Sequence, residues 1–435
     1  MNTIENIKER FQELSSSGEV GVLSSMSKKA VDSFNEMGVP SVKHEEWKYT
    51  RIGGFFNQEY SVVPGIEIND LSSTDIDLFR LPGHEKVSEL VFVNGYYSGR
   101  LSHIRSASLT VLSLGDASKN EFAGIVSKYL GNSGKYLKDG IFALNTAFVQ
   151  DGLFIHIKKG AIEPPVYIYN ITDSRSSNIL AQPRTLIYIS EQAHVQLIET
   201  YTTIGSSESF TNQVTEIVVE KDALVEYYKI QNDAIHSSQV SATSFQQVGK
   251  SYVHAVTVSL NGGVVRNNLN ISLAAERSEA HLYGLYFLKG DSHIDNHTVV
   301  DHIVPNCESN ELYKGIVDDK GAAVFNGKIF VQPQAQKTNA FQSNKNILMS
   351  DTASVNTKPQ LEIFADDVKC SHGCTVGQLD EEGLFYLQSR GINEKMARSL
   401  LVHAFAVNIL EHIKPAPIRD YVDRLIDERL EFDKL

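Results

Sequence analysis

The segment Asp366-Asp367-Val368-Lys369-Cys370-Ser371-His372-Gly373-Cys374-Thr375-Val376-Gly377 carries two of the chain's three cysteines, with a histidine between them. Cys370, His372 and Cys374 are spaced two apart. In a strand, alternate side chains share a face, so both thiols and the imidazole would point the same way. Same-face neighbours lie about 6.5–7 Å apart, twice the rise per residue. Thiolate and imidazole together suit zinc, copper or iron–sulfur chemistry. The spacing is loose for one tetrahedral ion held by a single strand. A buried cysteine can also be a small hydrophobe in a core. The polar Asp366-Asp367 approach and the glycines at 373 and 377 favour a working face.

Other chemistry is sparse. There is no Walker A loop, no G-x-S-x-G elbow and no H-E-x-x-H helix. His194, His254 and His281 fall in strand-like repeats and read as structural groups. His293, His297 and His302 are closer together, and a metal group there is weighed against turn residues flanked by Asp and Asn. Cys307 reads as core. A formal charge of −13 over 435 residues argues against general nucleic-acid binding. Three cysteines form no disulfide framework, which points to a reducing, cytoplasmic setting. The start, MNTIENIKERFQEL, lacks an apolar signal region. No apolar run reaches the roughly 18 residues of a membrane span.

The elements that position the cysteine segment divide into three stretches, 1–140, 141–378 and 379–435. The first is helical and mixed α/β: two helices by residue 40, then Lys43-His44-Glu45-Glu46-Trp47-Lys48-Tyr49-Thr50, a docking segment anchored by the only tryptophan. The strand-like run Glu89 to Val93 precedes an Asn94-Gly95 turn. The second stretch is mainly β. A weak repeat of a small residue, any residue, then Val or Leu begins at Ala193, Ala223, Ser251, Ala280, Ala322 and Ala353. A period near 30 residues with two-residue alternation and no helices predicts a β-helix, with two or three strands of about five residues per turn. A propeller needs four strands per blade and fits less well; a large irregular β-sandwich is the bland alternative.

The third stretch is helical. Asp380 caps a short helix ending at Arg390-Gly391, and Asn393 caps a second with Met396, Leu400, Leu401, Ala404, Phe405, Ile409 and Ile413 on one face. A third spans Ile418 to Phe432, with Ile418, Val422, Leu425, Ile426 and Leu430 on one face. These helices are expected to cap the open end of the β-helix or to dock a partner.

Residues 311–405 resemble the SufB/SufD family of iron–sulfur cluster assembly proteins. The likeness runs through Lys314-Gly315-Ile316-Val317, Phe325-Asn326-Gly327-Lys328-Ile329, Ala335-Gln336-Lys337-Thr338 and Asn346-Ile347-Leu348-Met349-Ser350. It continues through Pro359-Gln360-Leu361-Glu362-Ile363, Ala365 to Gly373 and Phe385-Tyr386-Leu387-Gln388-Ser389-Arg390-Gly391-Ile392. Within the family it is similar to SufD: the Glu46-Trp47-Lys48-Tyr49-Thr50 segment is SufD-like, and the Glu-Pro-Glu-Trp-type motif of SufB is missing.

The resemblance implies a right-handed parallel β-helix between helical terminal regions, and a non-catalytic scaffold rather than an enzyme. It implies pairing with a SufB-like paralogue through the β-helix, and binding of a SufC-like ABC-type ATPase through the C-terminal helices. Leu384, Phe385, Leu387, Arg390, Leu400, Leu401 and Phe405 would dock the ATPase. A homodimer in isolation is also compatible. The cluster-assembly interface would contain His372 first, Cys370 second and Cys374, with His372 and Cys370 meeting metal transiently in a site shared with the partner. The iron–sulfur cluster would form at the heterodimer interface, none being held stably by this chain alone. The family usually has alanine at the Cys374 position, so that thiol is a departure. Two other classes stand beside this: an architectural adaptor that recruits the ATPase without touching the cluster, and a carbohydrate-active β-helix enzyme.

Overall fold

In a computed structural model, which describes residues 3–16, 21–62, 71–149, 152–162 and 164–430, the chain winds back and forth between two eleven-stranded sheets. One sheet, A, includes Arg184–Ile189, Ser209–Val219, Ser237–Gln247, Val264–Leu273, His293–His302 and Ala322–Val331. The other, B, includes Val166–Asp173, Ala193–Ile204, Leu224–Asn232, Tyr252–Asn261, Glu279–Leu288, Glu308–Val317, Asn339–Leu348 and Lys369–Gln378. Sequence neighbours therefore alternate between sheets, and each strand pairs in parallel with the strand one turn earlier. In sheet B the register runs His194, Leu224, Tyr252, Glu279, Glu308, Asn339, Lys369, about 30 residues per turn, as a solenoid requires.

The β-helix expectation holds, with a different internal plan. Each full turn holds two long strands, commonly of 10 residues, rather than several short ones. The repeats at Ala193, Ala223, Ser251 and Ala280 open strands of sheet B, whereas those at Ala322 and Ala353 open strands of sheet A. The longer step between Ala280 and Ala322 is that change of sheet.

Apolar side chains from both sheets meet between them, including Val195, Leu197, Ile217, Val225, Phe245, Leu282, Ile294, Val317 and Ile329. The outer faces are covered too. The helices Thr3–Ser16, Val22–Met37 and Gly140–Ala147 lie over sheet A, where Phe11, Phe34 and Leu144 join Phe210 and Val240. Trp47 is buried there, its Nε1 donating to Asp139 Oδ2 at 3.2 Å and its ring under the Arg266 guanidinium at 3.9 Å. Cover on both sides explains why strands such as Ser209–Val219 are buried throughout rather than alternating.

The C-terminal helices do not cap the end of the solenoid. Val402, Ala406, Ile409, Leu410 and Ile413, with Ile418, Val422 and Ile426, pack on the outer face of sheet B against Ile198, Tyr228, Val256, Leu285 and Ile316. Lys314 Nζ donates to the Phe405 carbonyl at 3.0 Å, and Lys289 Nζ to that of Arg429 at 2.7 Å. The apolar stripe existed, but the surface it matched was a sheet face rather than the solenoid's end. The buried face of Glu394–Leu410 is also rotated from the expected one: Ala404 and Leu400 are exposed. Both N-caps are as read, Asp380 accepting from the Gly383 amide and Asn393 from that of Met396. The third helix is Ala416–Leu430; Phe432 lies outside the described residues. No described helix is long and apolar enough to cross a membrane.

Candidate functional site

With the helices on its flank, the solenoid ends open. Its last strand, Lys369–Gln378, pairs on one side with Asn339–Leu348, and among the described residues its other edge has no neighbour in the sheet order. Every residue of that strand is exposed except half-buried Cys370. A free strand edge is a row of unpaired amides and carbonyls that invites another chain.

Register decides which way the strand's side chains face. Cys370 sits beside Ala340, His372 beside Gln342, Cys374 beside Asn344 and Val376 beside Asn346. Those four neighbours are buried, and Cys370 packs against the apolar filling between the sheets. Cys370, His372 and Cys374 thus share the inward face, as the alternation demanded. On the last turn, however, inward means looking out of the open end. The three groups line the rim of the solenoid, available to whatever covers it. Burial pushes the Cys370 thiol up, which keeps it protonated until a cation or a donor arrives. Beside the strand, Tyr283, Leu312, Phe341, Lys345, Ser371 and His372 border a depression of about 500 Å³.

The turns below the rim are filled with polar groups. Gln342, Asn344 and Asn346 occupy three successive inward positions of Asn339–Leu348 and are 3%, 0% and 3% exposed. Asn346 Nδ2 donates to Asn344 Oδ1 at 2.7 Å, and Asn344 Nδ2 to Tyr286 Oη at 2.9 Å. Glu311 accepts from Gln342 Nε2 at 2.7 Å. Sequence reasoning missed this layer, because only the register reveals that Glu311 and Gln342 lie in one column under His372.

The other histidines separate by strand parity. His293 Nε2 is 2.8 Å from Thr50 Oγ1, and His297 lies 3.0 Å from Asp295 and 3.5 Å from Glu46, all outside sheet A. His302 points inward to Ser309 Oγ at 2.9 Å. They form no common ligand set, so the metal reading there fails. His254 bonds the His412 carbonyl at 2.8 Å, clasping a helix. Cys307 is buried, its Sγ 3.3 Å from the Ala275 carbonyl. A group that sequence reasoning did not find is His403 with Asp423 and Asp427, whose nearest atoms could all reach one ion. At 2.8 Å from Asp423, His403 is at hydrogen-bond distance, and the trio clasps the last two helices together.

The residues expected to dock an ATPase fall in two groups. On the helix Glu381–Ser389, which buries no residue, Phe385 is 73% exposed and Tyr386 57%, with the Arg390 guanidinium 5.2 Å from the Tyr386 ring. Leu384 and Leu387 are half-buried, and Leu400 is exposed. Leu401 and Phe405 lean into the seam with sheet B, Lys314 lying over the Phe405 ring.

Comparison with known proteins agrees with this architecture. Residues 170–405 match the family described as "SUF system FeS cluster assembly, SufBD core domain", and residues 4–168 match the "SufBD protein N-terminal region". The chain is 31% identical over 422 residues to an iron–sulfur cluster assembly SufBD family protein of Synechocystis, covering 94% of this chain and 91% of that one. It is 32% identical over 407 residues to the iron–sulfur cluster assembly protein SufD of Escherichia coli, covering 90% of each. Over 315 residues it is 32% identical to the chloroplastic protein ABCI7 of Arabidopsis thaliana, covering 69% of this chain and 65% of that one. The chain belongs to the SufBD family of SUF-system iron–sulfur cluster assembly proteins and is SufD-like.

Proposed function

We propose that the chain is a non-catalytic scaffold subunit of a cytoplasmic SUF assembly complex, and that its open solenoid end is one half of a shared assembly site. The observation that carries this is the final strand: a free edge that bears two thiols and an imidazole on its rim. An edge strand gains main-chain hydrogen bonds when a partner's strand adds to it. A paralogue with the same solenoid would offer a matching edge, which makes a SufB-like chain the fitting occupant. Pairing would bring the partner's ligands to the same rim. That supplies what one strand lacks, because ligands about 6.5–7 Å apart cannot close a tetrahedral iron site by themselves.

His372 is the foremost ligand, since a neutral imidazole needs no deprotonation to bind iron. Cys370 follows once its proton is displaced, and Cys374, one position further along the same rim, is an additional thiolate. The cluster is cargo: it forms at the joint and leaves. Phe385 and Tyr386 on the helix Glu381–Ser389, with Leu400 on the following helix Glu394–Leu410, form the docking surface for a SufC-like ATPase. The first of these helices borders the rim in sequence, so force from nucleotide-driven movement would reach the joint directly.

The test is His372→Ala in the co-expressed complex. The reading predicts an intact complex with strongly reduced cluster formation. Unchanged assembly would leave an architectural adaptor that recruits the ATPase without touching the cluster.

A further inference from the structure

The column beneath His372 reads Gln342, Glu311 and Leu282, one residue from each successive turn. Glu311 is 4% exposed, and among the described residues burial and hydrogen bonds, not a charged neighbour, act on its carboxyl. Its Oε2 accepts from Gln342 Nε2. With the carboxylate ionised, and so able only to accept, this bond sets the direction of the Gln342 amide: the nitrogen is committed to Glu311, and Oε1 is left over. Gln342 Oε1 is buried and has no donor among the described residues. The amide also has a dedicated space, since a Cβ on Gly327 of the facing sheet would lie 2.2 Å from Gln342 Nε2.

A buried carbonyl oxygen without a donor forfeits its hydration with nothing in return, so it calls for a physical reason. The next side chain up the column is His372, exposed and one strand away, a distance of about 4.8 Å between backbones. We propose that Gln342, held by Glu311, is the seat of His372: the imidazole turns inward, donates one ring N–H to Gln342 Oε1, and presents its other nitrogen out of the open end. Histidines that bind metal generally donate their second nitrogen to an oxygen acceptor, which fixes tautomer and ring direction and raises ligand basicity. Gln342 and Glu311 are then positioning residues, which touch neither iron nor sulfide. The value of such a seat rests on the ligand reading of His372. The seat itself is a property of this chain alone, and it is measured without any metal.

The experiment is long-range ¹H–¹⁵N correlation of the histidine-labelled chain above the imidazole titration range, which reports the tautomer of His372. In the wild-type protein a single tautomer is expected. Gln342→Leu removes the acceptor and should give the mixture of tautomers of a free imidazole. Glu311→Gln keeps volume and folding, but its own amide can face Gln342 either way round, so the mixture should return there as well. A tautomer mixture in the wild-type chain, or a single tautomer that survives both substitutions, would overturn the seat. If instead the tautomer is fixed and responds to both substitutions while His372→Ala assembles clusters normally, the seat stands and the ligand reading falls.

Discussion

Replacing Glu311 with Gln should stabilise the protein, and more so as the pH rises. Glu311 is sealed among uncharged groups, and burial pushes its carboxyl from the ordinary 4.5 up to about 7, with Thr298 and Gln342 opposing the rise. The sign follows from that direction. The fold prefers the protonated carboxyl, so the stability tied to it is complete below pH 4.5 and is lost as the pH climbs through about 7. The gap between folded and unfolded values is worth about 3 kcal/mol once both forms are ionised. Glutamine fills the same volume and does not ionise. Urea unfolding of both proteins at pH 5 and pH 8 measures the effect: the advantage of Glu311→Gln should grow by about 2 kcal/mol between the two conditions. Parallel stability curves across this range would refute the reasoning, and would mean that water or a cation relieves Glu311 in solution.

Glu46 should behave in the opposite sense. A hydrogen bond from His297 leads the groups holding its carboxyl down to about 2, with Lys328 assisting against burial. Its stabilisation is present above pH 4.5 and lost as the pH falls towards 2; because the side chain is 46% exposed, Glu46→Gln should cost roughly 1 kcal/mol at pH 7 by unfolding titration. Trp47→Ala removes a buried ring that Arg266 covers and should cost about 3–5 kcal/mol in the same assay. The pair Phe385→Ser and Tyr386→Ser should leave the thermal midpoint within a degree or two, because both rings are exposed, while abolishing capture of the ATPase in a pull-down. Deleting everything after Gly377 is a poorer test, since it would uncover Ile198, Tyr228, Val256 and Leu285 on sheet B.

The parts of the molecule that were legible in its sequence are those governed by local spacing. Period-two alternation and a 30-residue repeat expose a β-solenoid, and the alternation alone places Cys370, His372 and Cys374 on one face. Capping is equally local, so Asp380 and Asn393 could be identified as helix starts. What depends on distant pairing was not legible. The apolar stripe of Glu394–Leu410 declares that the helix is covered, but not by what, and a solenoid offers both an end and a flank. Strands buried on both faces lose the alternation that would count them, which hid the two long strands in each turn. Likewise the column of Leu282, Glu311, Gln342 and His372 joins residues some 30 positions apart, and a register slip of one residue would have turned each of them outward.

The central claim is that the open end of this solenoid is half of an iron–sulfur assembly site. It is tested most directly by purifying the chain from its native cells under anaerobic conditions and recording the visible absorption of what comes with it. The account predicts two partner subunits, a paralogue and an ATPase, and the charge-transfer bands of sulfide-bridged iron, which are lost when His372 and Cys370 are replaced together in an intact complex. The same bands from a complex carrying both replacements would contradict it.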